Sequence, residues 1–276
     1  MRDPREVSRS DAAAMGAEAL KVCHAGRYTA PSGRVVALDD PIARAIAGTT
    51  DIPPDLDLDL APGGDRPVRF EVVNVSTLVA ARRLHDAGRD VVALNFASAR
   101  RPGGGFLSGA RAQEESLCRA SALFVCLEGQ AMYRHHDGWQ DAMHGDRMVH
   151  SPAVPVFRGD HGPLLEQPWP CGFITAAAPN RNALRRHAPE REPELPRVFA
   201  ARIARVLAVA ARAGHDAVVL GAWGCGAFGC DPELVAEQFH AALSGPFRGT
   251  FAHVVFAVLD TSPERRTIAP FERRFT

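Results

Sequence analysis

Leu94-Asn95-Phe96-Ala97-Ser98-Ala99-Arg100-Arg101-Pro102-Gly103-Gly104-Gly105-Phe106 continues through residues 107–112 into Gln113-Glu114-Glu115-Ser116-Leu117. The apolar run 91–96 reads as a short strand, and a helix is predicted over 113–127. Three consecutive glycines lose much backbone entropy on ordering. They belong where the chain needs positive φ or where a ligand comes close to the backbone. The loop therefore sits at the carboxyl end of a strand, where open α/β sheets bind their ligands.

Outward from this loop the same alternation recurs. Strand-like segments are 68–75, 172–178, 217–222 and 253–259, and helical ones are 76–87, with Ser76 as cap, 197–213 and 232–243. The pattern predicts an α/β fold with helices on both faces of a sheet. Two long stretches, 135–170 and 179–196, read as irregular loops of the functional or mobile kind. Before the alternation, 10–24 reads as an amphipathic helix capped by Ser10 and ending near Gly26. Residues 49–67, with Pro53-Pro54 and Gly63-Gly64, read as a linker. The expected division is an extension over 1–66 and a core over 67–276.

Glu114 and Glu115 open the helix after the glycine loop, where acidic side chains suit the positive end of the dipole. Adjacent helical residues point about 100° apart, so the two carboxylates can meet different environments. One can stay ionised and hold a sugar hydroxyl. The other can carry a raised pKa and serve as general acid, as cleavage through an oxocarbenium-like transition state requires.

A second glycine loop, Gly221-Ala222-Trp223-Gly224-Cys225-Gly226-Ala227-Phe228-Gly229-Cys230-Asp231-Pro232, follows the apolar strand and enters a helix with Asp231 as cap. Backbone N–H groups at such a turn form an anion nest suited to a diphosphate. Gly224, Gly226 and Gly229 match the dinucleotide fingerprint in letters only. No Asp or Glu lies between His240 and Leu259 to hold a ribose, and 47 residues after Gly229 are too few for a second mononucleotide half. No Gly-Lys-Ser/Thr makes a P-loop. Phe228 reads either as core or as an aromatic plate against a sugar or base.

The chain has 276 residues, with 32 Lys+Arg against 32 Asp+Glu, so a globally basic nucleic-acid binder is excluded. At 46% apolar residues it is no acidic disordered chain. Lys21 is the only lysine. Arg100, Arg101, Arg111 and Arg119 cluster around the first loop and can act as a local anion site, whereas Arg181, Arg185, Arg186 and Arg191 read as solvated surface. The six cysteines form no CxxC pair, and Cys225 and Cys230 read as small buried thiols. Residues 1–30 hold no uninterrupted apolar run, so neither a signal peptide nor a membrane span is expected there, and a cytoplasmic protein is. His135, His136, His144, His150 and His161 lack zinc spacing and read as solvated loop residues, so no metal is expected.

Gly103-Gly104-Gly105, a seven-residue spacer and Gln113-Glu114-Glu115 resemble the signature of poly(ADP-ribose) glycohydrolases. Asn95-Phe96-Ala97-Ser98 and the 221–231 loop are similar to the bacterial-type branch, from residue 68 to the C-terminus, and residues 1–66 look like that branch's extension. The resemblance implies a macrodomain: a three-layer α/β/α sandwich around a mixed sheet, with a small, mainly helical N-terminal extension. It implies hydrolysis of ribose–ribose bonds in poly(ADP-ribose), acting from chain ends and releasing ADP-ribose, without metal or cofactor. Glu115 would protonate the leaving ribose oxygen, Glu114 and Gln113 would orient the terminal ribose, and Gly103, Gly104 and Gly105 would pack beneath it. Gly224, Cys225, Gly226, Ala227 and Phe228 would wrap the diphosphate, with Phe228 against the distal ribose. Asn95 would bond that ribose. Ser98 stands where related macrodomains often carry a second Asn, which shortens its reach. Asp260, Thr267 and Phe271 are candidates for an adenine wall. The expected partners are poly(ADP-ribose) or ADP-ribosylated macromolecules, met by a cytoplasmic monomer of the DNA damage response without sequence-specific nucleic-acid binding. Removal of single ADP-ribose units from proteins and non-catalytic ADP-ribose reading are the alternatives.

Overall fold

The computed structural model describes residues 7–58, 64–138, 141–160 and 162–276. Its helices are α1 (Arg9–Ala25), α2 (Asp39–Gly48), α3 (Thr77–Asp86), α4 (Gln113–Ala120), α5 (Leu123–Leu127), α6 (Ala131–Asp137), α7 (Arg181–His187), α8 (Leu195–Arg212), α9 (Pro232–Ser244) and α10 (Ala269–Phe275). Its strands are β1 (Arg27–Thr29), β2 (Val35–Ala37), β3 (Thr50–Ile52), β4 (Arg69–Val73), β5 (Val91–Phe96), β6 (Met148–Arg158), β7 (Leu164–Ala176), β8 (Ala217–Leu220) and β9 (His253–Ala257).

The strands β5, β8 and β9 are short apolar runs because both of their faces are covered. Period-two alternation sends Val91 and Ala93 of β5 into one core with α1 to α5, and Val92 and Leu94 into a second core with α8 to α10. The result is a three-layer α/β/α sandwich. Its seven-stranded sheet has the order β3-β6-β7-β5-β8-β9-β4. It is mixed: β7, β5, β8, β9 and β4 run parallel, while β3, β6 and β7 pair antiparallel.

Several expectations need correction. The cap of α1 is Ser8, whose hydroxyl accepts from Asp11 N–H, rather than Ser10. The helix expected over 113–127 breaks at Ser121, which is extended and bridges to Val156. The stretch 135–170 is largely the long hairpin of β6 and β7. Pro152 and Pro155 broke its sequence pattern, and the chain accommodates the disruption with a bulge between Ser151 and Val154 and a positive φ at Ala153. The stretch 179–196 holds α7, a 3-10 turn at Pro189–Glu194 and the start of α8. Within 49–67, Thr50–Ile52 forms β3 on the sheet edge against β6, and residues 59–63, with Gly63, lie outside the described residues. No described helix is long and apolar enough to cross a membrane.

Candidate active site

The loops leaving β4, β5, β8 and β9 converge at the carboxyl ends of these parallel strands. They enclose a cavity of about 750 Å³. Phe96 ends β5 there, and its N–H donates to Gln113 Oε1 at 2.9 Å, while Gln113 Nε2 donates to Leu94 O at 2.8 Å and Thr77 Oγ1 at 3.1 Å. Gln113 thus staples the start of α4 to the end of β5, and this fixes where the next two side chains point.

Both glutamates line the cavity, in unlike surroundings. Glu114 Oε2 accepts Ser98 N–H at 2.7 Å, and its Oε1 lies 3.4 Å from Asn95 Nδ2. Burial pushes its pKa up to about 8. The charge of Glu115 adds to that rise, and the donors from Ser98, Asn95 and Gly103 oppose it. Glu115 Oε1 accepts Gly105 N–H at 2.9 Å, and its buried Oε2 has no partner. A buried carboxylate oxygen without a partner is costly unless something arrives to meet it. Gly104 has φ +58, and a Cβ there would fall onto Glu115 Oε1, so the carboxylate can approach only glycine.

The loop after β8 closes through Cys225 N–H to Ala222 O at 3.1 Å, Gly229 N–H to Gly226 O at 3.0 Å and Cys230 N–H to Gly224 O at 3.0 Å. Gly224 has φ +78 against Ala178 and Cys230, whereas Gly226 faces open space that a guest can enter. Residues 224–228 all line the cavity. Beneath them Trp223, fully buried, donates Nε1–H to Ala176 O at 3.2 Å. Cys230 donates to Pro179 O, and burial pushes its thiol up to about 11, so it is no thiolate nucleophile at neutral pH.

Opposite, Asp260 and Thr267 line the cavity. Asp260 Oδ1 accepts Ser262 N–H and Oγ–H, and Oδ2 accepts the N–H groups of Thr267 and Ile268. Asn74 ties the same residue by two further bonds to its backbone, at 2.7 and 2.9 Å. The carboxylate therefore holds the loop 260–268 in shape.

Not every expected residue faces the cavity. Asn95 is 0% exposed, is not among the residues lining the cavity, and bonds Thr175 Oγ1 at 3.1 Å as well as facing Glu114. Gly103, Gly104 and Gly105 lie behind the glutamates. Ser98 lines the cavity, yet its Oγ accepts Arg101 N–H at 3.2 Å. Phe271 belongs to the core, 0% exposed and packed on Phe256 at 5.3 Å between ring centroids, because α10 turns its apolar face to the sheet. Of the four clustered arginines only Arg111 lines the cavity. Arg119 is fully buried and braces the loop from behind by donating Nη1–H to Ala110 O at 2.6 Å. Arg181, Arg185 and Arg191 are ion-paired with Glu192, Glu194 and Asp141. His136, His144 and His150 are packed residues and not solvated ones, and His161 lies outside the described residues. Among the described residues no three His, Cys, Asp or Glu side chains gather as a metal site.

Sequence reading missed Ser76 and Asp160 as cavity residues. Ser76 is legible as a helix cap, but its 2.5 Å bond to Asp160 comes from the tip of the distant β6–β7 hairpin.

Residues 16–159 match the family described as microbial-type PARG, catalytic domain. Among solved structures, poly(ADP-ribose) glycohydrolase (PARG) from Thermomonospora curvata is similar at 49% identity and TM-score 0.91, over 96% of this chain and 99% of that one. The same Thermomonospora protein bound to the inhibitor ADP-HPD gives 48% identity and TM-score 0.89 over the same shares. The enzyme from Deinococcus radiodurans in complex with ADP-ribose gives 43% and 0.81, over 84% of this chain and 96% of that one. Comparison with curated proteins finds no match.

Proposed function

The chain belongs to the microbial-type poly(ADP-ribose) glycohydrolases, and from that premise we propose that it cleaves the polymer from its ends with Glu115 as general acid. One observation carries the assignment of the acid: Glu115 lines the cavity and its buried Oε2 has no partner, while both oxygens of Glu114 face donors. A proton on Oε2 passes to the leaving ribose oxygen as its bond to the anomeric carbon breaks. Water then adds to that carbon and returns a proton to the carboxylate. Gly105 N–H holds the other oxygen throughout. In this reading the 224–228 backbone, which lines the cavity, receives the diphosphate, and Phe228 faces the distal ribose.

End-directed action is supported by the wall at 260–268, a loop pinned through Asp260 and Asn74, which leaves a pocket sized for one terminal unit. Two measurements test the proposal. Early products from long polymer should be ADP-ribose alone, and released oligomers would overturn the end-directed reading. Glu115→Ala should lose about 10²–10⁴-fold in kcat while still binding ADP-ribose. Near-wild-type turnover by that variant would remove Glu115 from the acid role.

A further inference from the structure

The segment 141–146 is built with more care than a surface loop needs. Arg202 of α8, 2% exposed, donates to Met143 O at 3.0 Å, Ala177 O at 2.9 Å and His144 O at 3.2 Å, and pairs with Asp146 at 2.7 Å. Asn180 N–H adds a bond to Ala142 O at 2.8 Å. This frame holds His144 at φ 57, a left-handed conformation that persists only where the surroundings over-determine it.

The strained residue packs against Phe228 of the cavity wall. His144 donates Nδ1–H to Ala178 O at 2.8 Å, which fixes its ring plane. The ring then meets Phe228 at 5.7 Å between centroids and 59°. Burial, with His136, Arg202 and Arg100 nearby, pushes its pKa down to about 4, so it is a neutral aromatic surface at neutral pH. Phe228 is half-buried, and its backbone is held separately, by Asn182 N–H to its carbonyl at 3.0 Å. The backbone of Phe228 thus has one anchor and its ring another.

We propose that His144 is a positioning residue whose imidazole sets the pose of the Phe228 ring against the substrate ribose. The inference rests on the reading that Phe228 faces that ribose. A ring displaced by an ångström would leave the substrate misaligned with Glu115, a class of error that costs up to about a hundredfold in rate.

The test separates ring from backbone. His144→Asn tolerates the left-handed backbone and can keep the bond to Ala178 O, but it removes the ring. His144→Phe keeps a ring and loses the bond. With poly(ADP-ribose) as substrate, H144N should lower kcat/KM by roughly tenfold or more, and H144F should restore most of it. In the Phe228→Ala background H144N should cause no further loss, because the residue it acts through is gone. A merely structural role predicts the reverse order, N better than F, and losses that multiply in the double variant; either result overturns the proposal. If H144F fails to fold, the H144N–F228A cycle decides alone. If F228A by itself is as active as wild type, the reading of Phe228 falls and the inference with it.

Discussion

Glu114 shows how a single buried carboxyl ties stability to pH. Its pKa, near 4.5 for an ordinary glutamate, is pushed up to about 8 by burial. Folding therefore favours its protonated form, and the stability this residue confers falls as pH rises from about 4.5 to about 8. Glu114→Gln keeps the shape and removes the titration. Its melting temperature should exceed wild type by a margin that grows between pH 5 and 8 and then levels off. Thermal melts across that range check this, and a constant margin would contradict the assignment. Residues of this kind were legible in the sequence because Gln113, Glu114, Glu115 and their glycines are close along the chain. His144 was not, since its φ and its neighbour Phe228 are consequences of bonds to a helix some sixty residues away.

At the scale of elements, α1 is the brace of the glycine and carboxylate loop. Arg9 Nε–H donates to Ser108 O at 3.0 Å, Arg111 Nη1–H reaches back to Val7 O at 2.9 Å, and Gly16 lies against the carbonyl of Phe106, where a Cβ would come within 2.7 Å. The turn at Phe106–Ser108 directly follows Gly105, the residue that holds Glu115. In a free helix Gly→Ala is worth about 1 kcal/mol of stabilisation. Here Gly16→Ala should instead destabilise by about 1–3 kcal/mol and lower kcat more than it changes KM, because the loop must yield. Melting and steady-state kinetics would detect it, and a stabilised, fully active variant would dismiss the brace. The same scale shows where sequence reading works. Strands β5, β8 and β9 are continuous apolar runs bounded by turns, and they are found as expected. The β6–β7 hairpin is hidden by its prolines and its bulge, and the break after α4 depends on a bridge from Ser121 to Val156 that no local pattern carries.

For the whole molecule, 32 basic residues balance 32 acidic ones, and part of that balance is held in local ion pairs. Arg181 and Arg185 of α7 and Arg191 of the following turn are paired with Glu192, Glu194 and Asp141, and none of the three lines the cavity. Binding should therefore weaken only modestly with salt. A log–log slope of about −1 to −2 is expected for a few phosphates on a single strand, and a much steeper one would mean that the outer surface grips the polymer. The sheet order has a further consequence, for synthesis. Strand β4 is made early but pairs with β9, close to the other end of the chain, and the loop that follows β9 supplies the wall at Asp260. Long-range parallel pairing of this kind must wait for the distant strand. On the ribosome the glycine and carboxylate loop is complete long before its pocket is. An emerging chain thus carries Glu114 and Glu115 before β9 and the loop after it have closed the cavity around them.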